Sequence, residues 1–108
     1  MMELKYTPKA KEDLQNLREY ILENFGNEEL MKKVLTDITK TIRNLTVFPY
    51  LGSELVKMTG VLSDYRCLYC RQNHIFYRIE KDMILVIRIL NENQDYMRIL
   101  FGIKDTEM

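Results

Sequence analysis

Side chains that could perform chemistry are concentrated in the second half of this sequence. Arg66, Arg78 and Arg88 come from three consecutive strand-like segments, and arginines on a sheet can hold phosphates through paired hydrogen bonds. His74 is the only histidine, and a side chain that titrates near neutral pH suits a general acid or base. Tyr96 lies in a polar stretch, where its ring could stack on an unpaired base or contact a protein. These five residues are the candidates for binding an anionic partner and for transferring a proton.

Arg88 also has a purely structural interpretation. It interrupts an apolar strand, where an unpaired charge would be costly. We therefore expect the guanidinium to pair with an acidic side chain rather than with an anionic ligand. The acids considered are Glu80, Glu92 and Asp95.

The histidine and the tyrosines also have both a structural and a functional interpretation. By strand alternation His74 shares a face with Phe76 and Arg78, where it can be an ordinary polar strand residue. We expect Tyr65 and Tyr77 to pack in the core, which leaves Tyr96 as the tyrosine best placed for a partner.

Cys67 and Cys70 form a C-x-x-C pattern that predicts no chemistry. Residues three apart in a strand point to opposite faces, so the sulfurs cannot meet, and one histidine cannot complete a zinc site. We expect both cysteines to be small apolar side chains. The sequence also lacks a glycine-rich phosphate loop and an acidic metal cluster, so we predict neither a cofactor nor a metal.

Charge and hydropathy limit the classes of partner. The 108 residues carry 16 basic and 16 acidic side chains, which is unlike a strongly basic nucleic-acid-binding domain. The segment 57–88 has six basic and three acidic residues, so an anionic partner would meet this half. No apolar run is long enough to span a bilayer, and two cysteines provide no disulfide framework. We expect a cytoplasmic protein with no membrane partner.

The elements that must position these residues begin with a strand and two helices. Glu3 to Tyr6 alternates like a short strand. Thr7 and Pro8 are typical of a helix start, and Gly26 of a helix end. Asn27 is the predicted cap of a second helix that ends near Phe48 and Pro49. Two amphipathic helices with so short a connection should lie antiparallel.

From Leu51 onward apolar residues recur at every second position, as in strands, rather than at the helical spacing of three to four. We predict strands at residues 65–71, 74–80 and 83–90, a short helix at 94–101, and a frayed tail at 104–108. The fold class is therefore α+β in a single domain, residues 1–103. It comprises an N-terminal strand, a two-helix hairpin on an antiparallel sheet of about four strands, and a short C-terminal helix.

Six weak motifs occur in an order that resembles one known family. They are Tyr6-Thr7-Pro8-Lys9-Ala10-Lys11-Glu12-Asp13-Leu14, Tyr20-Ile21 with Phe25-Gly26, Leu45-x-x-Phe48-Pro49-x-x-Gly52, Tyr65-Arg66, Ile75-Phe76-Tyr77-Arg78-Ile79, and Val86-Ile87-Arg88-Ile89-Leu90-Asn91-x-x-Gln94-Asp95-Tyr96. Together they resemble the RelE/ParE superfamily of type II toxin–antitoxin toxins. The resemblance implies a small toxin neutralised by a cognate antitoxin, in a toxin–antitoxin hetero-oligomer. RelE-like members cut mRNA on the ribosome, whereas ParE-like members poison DNA gyrase.

The sequence departs from the nuclease pattern at three positions. His74 stands where the family has an arginine, and Asn91 where nuclease relatives often have a histidine; asparagine cannot transfer a proton at neutral pH. Leu68 stands where a second cation would be expected beside Arg66. These departures favour a ParE-like gyrase poison that performs no catalysis.

The resemblance thus leaves three hypotheses. For the gyrase poison, the predicted contacts with the target or the antitoxin are Arg88, Asn91, Asp95, Tyr96, Leu100 and Phe101. The alternative is a metal-independent endoribonuclease acting on the ribosome and its mRNA, with Arg66, His74, Arg78, Arg88 and Tyr96 in the site. The second alternative is a non-toxic family member that still binds an antitoxin.

Overall fold

A computed structural model describes residues 1–103, so the predicted tail at 104–108 lies outside the described residues. The elements follow the predicted order, with one helix and one very short strand that were not predicted. They are β1 (Glu3–Tyr6), α1 (Pro8–Phe25), α2 (Glu28–Asn44), β2 (Ser53–Glu54), α3 (Leu55–Thr59), β3 (Arg66–Cys70), β4 (Asn73–Glu80), β5 (Met83–Asn91) and α4 (Tyr96–Phe101). No helix in this part of the chain is both long and apolar enough to cross a membrane.

The strands form one mixed sheet in the order β1-β5-β4-β3-β2. The three strand pairings β2–β3, β3–β4 and β4–β5 are antiparallel, but β1 pairs with β5 in parallel. The predicted α+β class is confirmed, and the sheet has five strands rather than about four. β2 was missed because a two-residue strand is too short to show alternation. The parallel pair was missed because the helical hairpin and three strands separate its partners in sequence.

Three ends of the helical hairpin are those that the sequence predicts, whereas α2 ends at Asn44, before the predicted end near Phe48 and Pro49. The Thr7 hydroxyl accepts a hydrogen bond from Ala10 N at 3.0 Å, and the Asn27 side chain accepts one from Leu30 N at 3.0 Å. Gly26 lies between the helices with φ 58°, a left-handed conformation that costs glycine little. The two helices therefore reverse direction over two residues.

Both faces of the sheet are covered. Ile75, Val86 and Ile89 pack against the helical hairpin, which contributes Ile38 and Ile42 among others. On the opposite face a second cluster is centred on four buried residues and is covered by side chains of α4. Its buried members are Leu55, Cys67, Phe76 and Leu90. The nearly continuous apolar sequence of β5 reflects this double burial.

A bulge in β5 decides which side chains reach which face. Phe76 pairs with Arg88 and its neighbour Tyr77 with Val86, so Ile87 is an extra residue. Because of it, Val86 and Ile89 face the same helices although they are an odd number of residues apart.

Tyr77 anchors the loop that leads from α2 to β2. Its ring is fully buried, as predicted, while its hydroxyl donates to Pro49 O at 2.7 Å and accepts from Gly52 N at 2.9 Å. A Cβ atom on Gly52 would lie 2.8 Å from the Tyr77 hydroxyl and 2.9 Å from Cys67 O. The Pro49-x-x-Gly52 motif is therefore explained by close packing in this loop.

Candidate functional site

Arg88 is held by a buried acid from the first helix. Its Nε and Nη2 atoms donate to the two carboxylate oxygens of Asp13 at 2.8 and 2.9 Å, and Ile89 N donates to Asp13 Oδ2 at 2.9 Å. Asp13 is 8% exposed. The hydrogen bonds that Arg88 donates to Asp13 raise the pKa of the guanidinium and so favour its charged form. The expected ion pair is present, but its acid is none of the three that we considered.

The location of Asp13 explains why that acid was missed. β1 ends at Tyr6, which is paired with Val86, so the edge of β5 beyond this point has no strand beside it. Thr7 donates its amide to Val86 O and its hydroxyl to Ile87 O, and Asp13 accepts the next free amide. The start of α1 thus replaces the missing strand. This relationship joins residues 75 positions apart, and sequence alternation does not reveal it.

The other two arginines of the predicted set also have partners within the protein. Arg66 donates from Nε to Gly52 O at 3.1 Å, and its guanidinium lies 5.2 Å from the centre of the Tyr50 ring. Arg78 forms an ion pair with Asp64 at 2.8 Å and approaches Glu80 at 3.3 Å. Arg66 therefore supports a loop, whereas Arg78 faces acidic side chains.

His74 lies in an aromatic cluster on the sheet face opposite the helical hairpin. The centroid of the His74 ring lies 5.4 Å from that of Tyr69, 5.4 Å from that of Tyr96 and 5.9 Å from that of Phe76. Burial lowers the pKa of His74, with a smaller opposing effect from Glu92. Of the five residues proposed for RNA cleavage, the structure thus brings His74 and Tyr96 into contact with each other.

The two cysteines lie on opposite faces of β3, as the strand geometry predicts. Cys67 belongs to the cluster beneath α4 and lies 3.6 Å from His74 Nδ1, whereas Cys70 approaches Thr41 on α2 at 3.5 Å. Burial raises the pKa of the Cys67 thiol to about 11, which makes it a poor nucleophile. Within residues 1–103 no three His, Cys, Asp or Glu side chains are grouped so that they could hold a metal ion.

The predicted contact segment forms a turn and the last helix. Asn91 Oδ1 accepts from Asn93 N at 2.9 Å, and Gln94 Oε1 accepts from Asn91 N at 2.8 Å. Asp95 caps α4 by accepting from Arg98 N at 3.2 Å.

The two apolar residues at the end of this segment pack on the sheet. Leu100 and Phe101 are half-buried, and Phe101 stacks on Tyr65 with ring centroids 5.9 Å apart. Tyr96 lies over Phe76, with centroids 5.2 Å apart. The segment therefore presents a polar turn beside a small apolar helix.

Sequence reasoning missed a cleft between α1 and the ends of β4 and β5. Its volume is about 440 Å³, and a neighbouring cleft of about 300 Å³ shares five of its lining residues. The shared residues are Leu17, Tyr20, Asn73, Asn91 and Asn93. The side-chain amides within residues 91–94 were the one signal of this cleft in the sequence. The other wall comes from α1, which reaches this position only in the tertiary fold.

The fold and the site together define a class of protein: a small α+β domain whose helical hairpin packs on a mixed sheet and whose three candidate arginines have partners within the protein. The chain belongs to the ParE toxin family of type II toxin–antitoxin systems, since residues 4–96 match the family model described as the ParE toxin of the parDE system. This family assignment confirms the resemblance found in the sequence and supports a role as a toxin.

One solved structure shares this fold. A chain from the chromosomal ParDE toxin–antitoxin system of P. aeruginosa is 23% identical, with a TM-score of 0.70 over 84% of this chain and 96% of that one. A conserved hypothetical protein from Helicobacter pylori, HP0894, is 13% identical, with a TM-score of 0.45 over 87% of this chain and 98% of that one. Among curated proteins none matches significantly.

Proposed function

We propose that this protein inhibits growth as a ParE-like toxin that poisons DNA gyrase in the cytoplasm, and that a cognate antitoxin neutralises it. The toxin family provides the starting point. The observation that carries the choice of target is the internal pairing of the candidate cations. Arg88 is bound to Asp13, Arg78 to Asp64, and Arg66 to the backbone of the preceding loop.

A ribonuclease that uses no metal needs cations and a proton-transfer group directed at one phosphate. Here the guanidinium groups are directed at acids and carbonyls of the same chain, and burial lowers the pKa of His74. Asn91, at the position of the missing histidine, uses its side-chain oxygen to hold the turn. These contacts favour inhibition by binding over inhibition by cleavage.

For the contact surface we propose the predicted segment: Arg88, Asn91, Asp95, Tyr96, Leu100 and Phe101. The polar turn offers hydrogen-bonding groups, and α4 offers an apolar edge. Of these residues, Arg88 contributes indirectly, because Asp13 holds it and it in turn fixes the end of β5 next to the turn.

The decisive experiment compares two readouts after induction of the protein. Plasmid supercoiling and trapped cleaved DNA are measured in the induced cells, and new mRNA 5′ ends are mapped in the same cells; purified gyrase then serves for a direct assay of supercoiling with the purified protein. We expect loss of supercoiling that added antitoxin reverses, without new 5′ ends. Intact gyrase activity together with new mRNA ends would instead establish the ribonuclease, and harmless expression would establish a non-toxic family member.

A conservative variant tests the contact surface. Tyr96→Phe keeps the ring that packs on Phe76 and removes only the hydroxyl, so the fold should persist. We expect weaker gyrase inhibition or weaker antitoxin binding. Tyr50→Phe is the matched control, because Tyr50 is 71% exposed and is not part of the proposed surface.

A further inference from the structure

We propose that the outward side of α2 binds the phosphate backbone of duplex DNA. This basic face is defined by four exposed cations, Lys32, Lys33, Lys40 and Arg43. Binding to a polyanion follows from the arrangement of these charges, whereas the choice of DNA rests on the proposed function, because the enzyme that the toxin would poison acts on DNA.

The spacing of the four cations places them on one side of the helix. Lys33 and Lys40 are separated by about two helical turns, and Lys32 and Arg43 by about three. The two rows are neighbours because they begin at adjacent residues. The opposite side of α2 is buried against the sheet and contains Met31, Val34, Ile38 and Ile42.

The cations of the basic face have no acidic partner. Among residues 1–103, none of the four forms an ion pair. The segment 57–88 was expected to meet an anionic partner, but most of its basic side chains are engaged within the protein. The pairs are Lys57 with Glu54, Arg66 with Gly52 O, Arg71 with Asp37, Arg78 with Asp64, and Arg88 with Asp13. An anionic partner would therefore find available positive charge on α2 rather than on the sheet.

Stabilisation of the helix itself explains only one of these cations. Arg43 lies in the last turn, where a positive charge interacts favourably with the helix dipole. Lys32 and Lys33 lie in the second turn, near the positive end of the helix, where a cation gains nothing from the dipole. Glu28 and Glu29 precede them in the first turn, and neither is within ion-pair distance of them.

The neighbouring helix shows that this segregation of charge is particular to α2. α1 carries three basic and four acidic residues, and Lys9 pairs with Glu12 at 3.7 Å. From residue 32 to residue 44, α2 carries four basic residues and one acid, Asp37, which Arg71 holds at 2.7 Å. The two helices of the hairpin therefore present different potentials to solvent, and only that of α2 is strongly positive.

A cleft beside Lys40 extends the basic face toward β3. Its volume is about 500 Å³, and its lining includes Thr41 and Asn44 next to the lysine. Their hydroxyl and amide groups can donate hydrogen bonds to a phosphate oxygen that the lysine attracts. The carboxylate in this lining belongs to Asp37 and is neutralised by Arg71. The cleft thus offers a phosphate both a charge and neutral donors.

The length and chemistry of the basic face favour a duplex among polyanions. Its cations extend over about 16 Å of helix, and duplex DNA carries one charge per about 1.7 Å of its axis. Thr36, the exposed residue between the two rows, is small and polar, and α2 contains no aromatic residue. Single strands are held largely by stacking on aromatic rings, and a membrane-surface helix needs an exposed apolar side. A face of cations alone suits the backbone of a double strand.

Binding of this kind holds DNA without cutting it. Lysine and arginine remain protonated near neutral pH, so the basic face has no group that transfers a proton there. In the proposed function the face would hold the DNA on which gyrase is trapped, while other surfaces of the toxin contact the enzyme.

A triple variant removes most of the basic face. Lys33→Gln/Lys40→Gln/Arg43→Gln replaces three exposed cations by neutral side chains that are good helix formers, so the fold should persist. Affinity for a fluorescent duplex of about 20 base pairs is measured by anisotropy over a series of salt concentrations, since phosphate contacts make affinity depend on salt.

The matched control makes the same change of net charge on the other helix. Lys9→Gln/Lys11→Gln/Arg18→Gln removes two lysines and one arginine from exposed positions of α1. Circular dichroism and urea unfolding verify that both triple variants retain the fold.

Four phosphate contacts predict a slope of about −3.6 for the logarithm of wild-type affinity against the logarithm of salt concentration. We expect the α2 variant to bind at least about tenfold more weakly at low salt, with a slope closer to zero by about 2.7, because three contacts are lost. The α1 variant should bind within about twofold of the wild type.

Three results would overturn the inference. The first is a wild-type chain that does not bind the duplex at low salt, and the second is an equal loss of affinity in both triple variants. The third is tighter binding to poly-glutamate or to an RNA duplex of the same length, which would assign the basic face to an acidic protein or to RNA. A wild-type chain that binds DNA as expected but leaves gyrase active would instead overturn the proposed function.

Discussion

Asp13 on the first helix and Arg88 on the last strand form a two-pronged ion pair, with N–O distances of 2.8 and 2.9 Å, although 75 residues separate them in sequence. The same carboxylate also accepts the amide of Ile89. Asp13 therefore attaches α1 to β5 and stands in for the hydrogen bonds that β1 no longer provides.

This arrangement predicts a large loss of stability when the acid is removed. Asp13→Ala leaves the Arg88 guanidinium and the Ile89 amide without an acceptor, so the free energy of unfolding should fall by about 3 kcal/mol. Urea unfolding measures it. Glu12→Ala removes the exposed pair with Lys9 from the same helix and should cost less than about 1 kcal/mol. Equal effects of the two variants would contradict the structural role of Asp13.

The close approach of Gly52 and Tyr77 gives a second prediction. Gly52→Ala forces a Cβ atom against the Tyr77 ring and Cys67 O, and the free energy of unfolding should fall by about 2 kcal/mol. Tyr77→Phe loses two hydrogen bonds and should cost a similar amount, about 2 kcal/mol.

The double variant shows whether these two residues interact. Phenylalanine lacks the hydroxyl oxygen, which is one of the atoms that a Cβ on residue 52 would strike. The stability lost in the double variant should therefore be smaller than the sum of the losses in the two single variants. Strict additivity would contradict the contact.

The half-buried imidazole of His74 predicts a dependence of stability on pH. The pKa of His74 is lowered by burial, so below its ordinary value of about 6.5 the unfolded chain binds a proton that the folded chain resists. The contribution of His74 is therefore fully present above that pH and is lost as the pH falls toward the lower folded value. Urea midpoints at about pH 7.5 and about pH 5.5, on either side of the ordinary pKa of histidine, should differ more in the wild type than in His74→Gln. The same difference in both proteins would exclude His74 as its source.

The two thiols should differ in reactivity. With its pKa raised to about 11, Cys67 forms little thiolate at pH 8. In a Cys70→Ser variant, alkylation of Cys67 by iodoacetamide should be at least about a hundredfold slower in the folded protein than in urea. In the reciprocal Cys67→Ser variant, half-buried Cys70 should be less protected. Rapid modification of folded Cys67 would show that the cluster beneath α4 opens readily.

Much of the fold was predictable because its signals are local. Caps, a glycine between the helices and the two apolar stripes depend on residues a few positions apart, and both ends of α1 and the start of α2 lie where these signals place them. The α3 helix was not predicted, since five residues are too few to show either the helical or the strand spacing of apolar side chains. The parallel pairing of β1 with β5 was not predicted either, because no local signal joins them.

The candidate site was less predictable than the fold. Alternation placed His74 with Phe76 correctly on one face, but the bulge at Ile87 reverses the alternation in β5 next to Arg88. The cleft between α1 and the ends of β4 and β5 combines Asn16 of α1 with Asn73 of β4, and neither residue has a distinctive sequence context. Such a juxtaposition arises only when a helix docks on a sheet.

By itself, the sequence determined the α+β class, the order of the main elements, the burial of Tyr77 and the ParE resemblance, since each depends on periodicity or on short motifs. Only the tertiary structure decided which acid holds Arg88, which face each residue of β5 occupies, and where a cleft opens. Those outcomes depend on register, on one inserted residue and on side chains far apart in the chain, for which local propensity has no information.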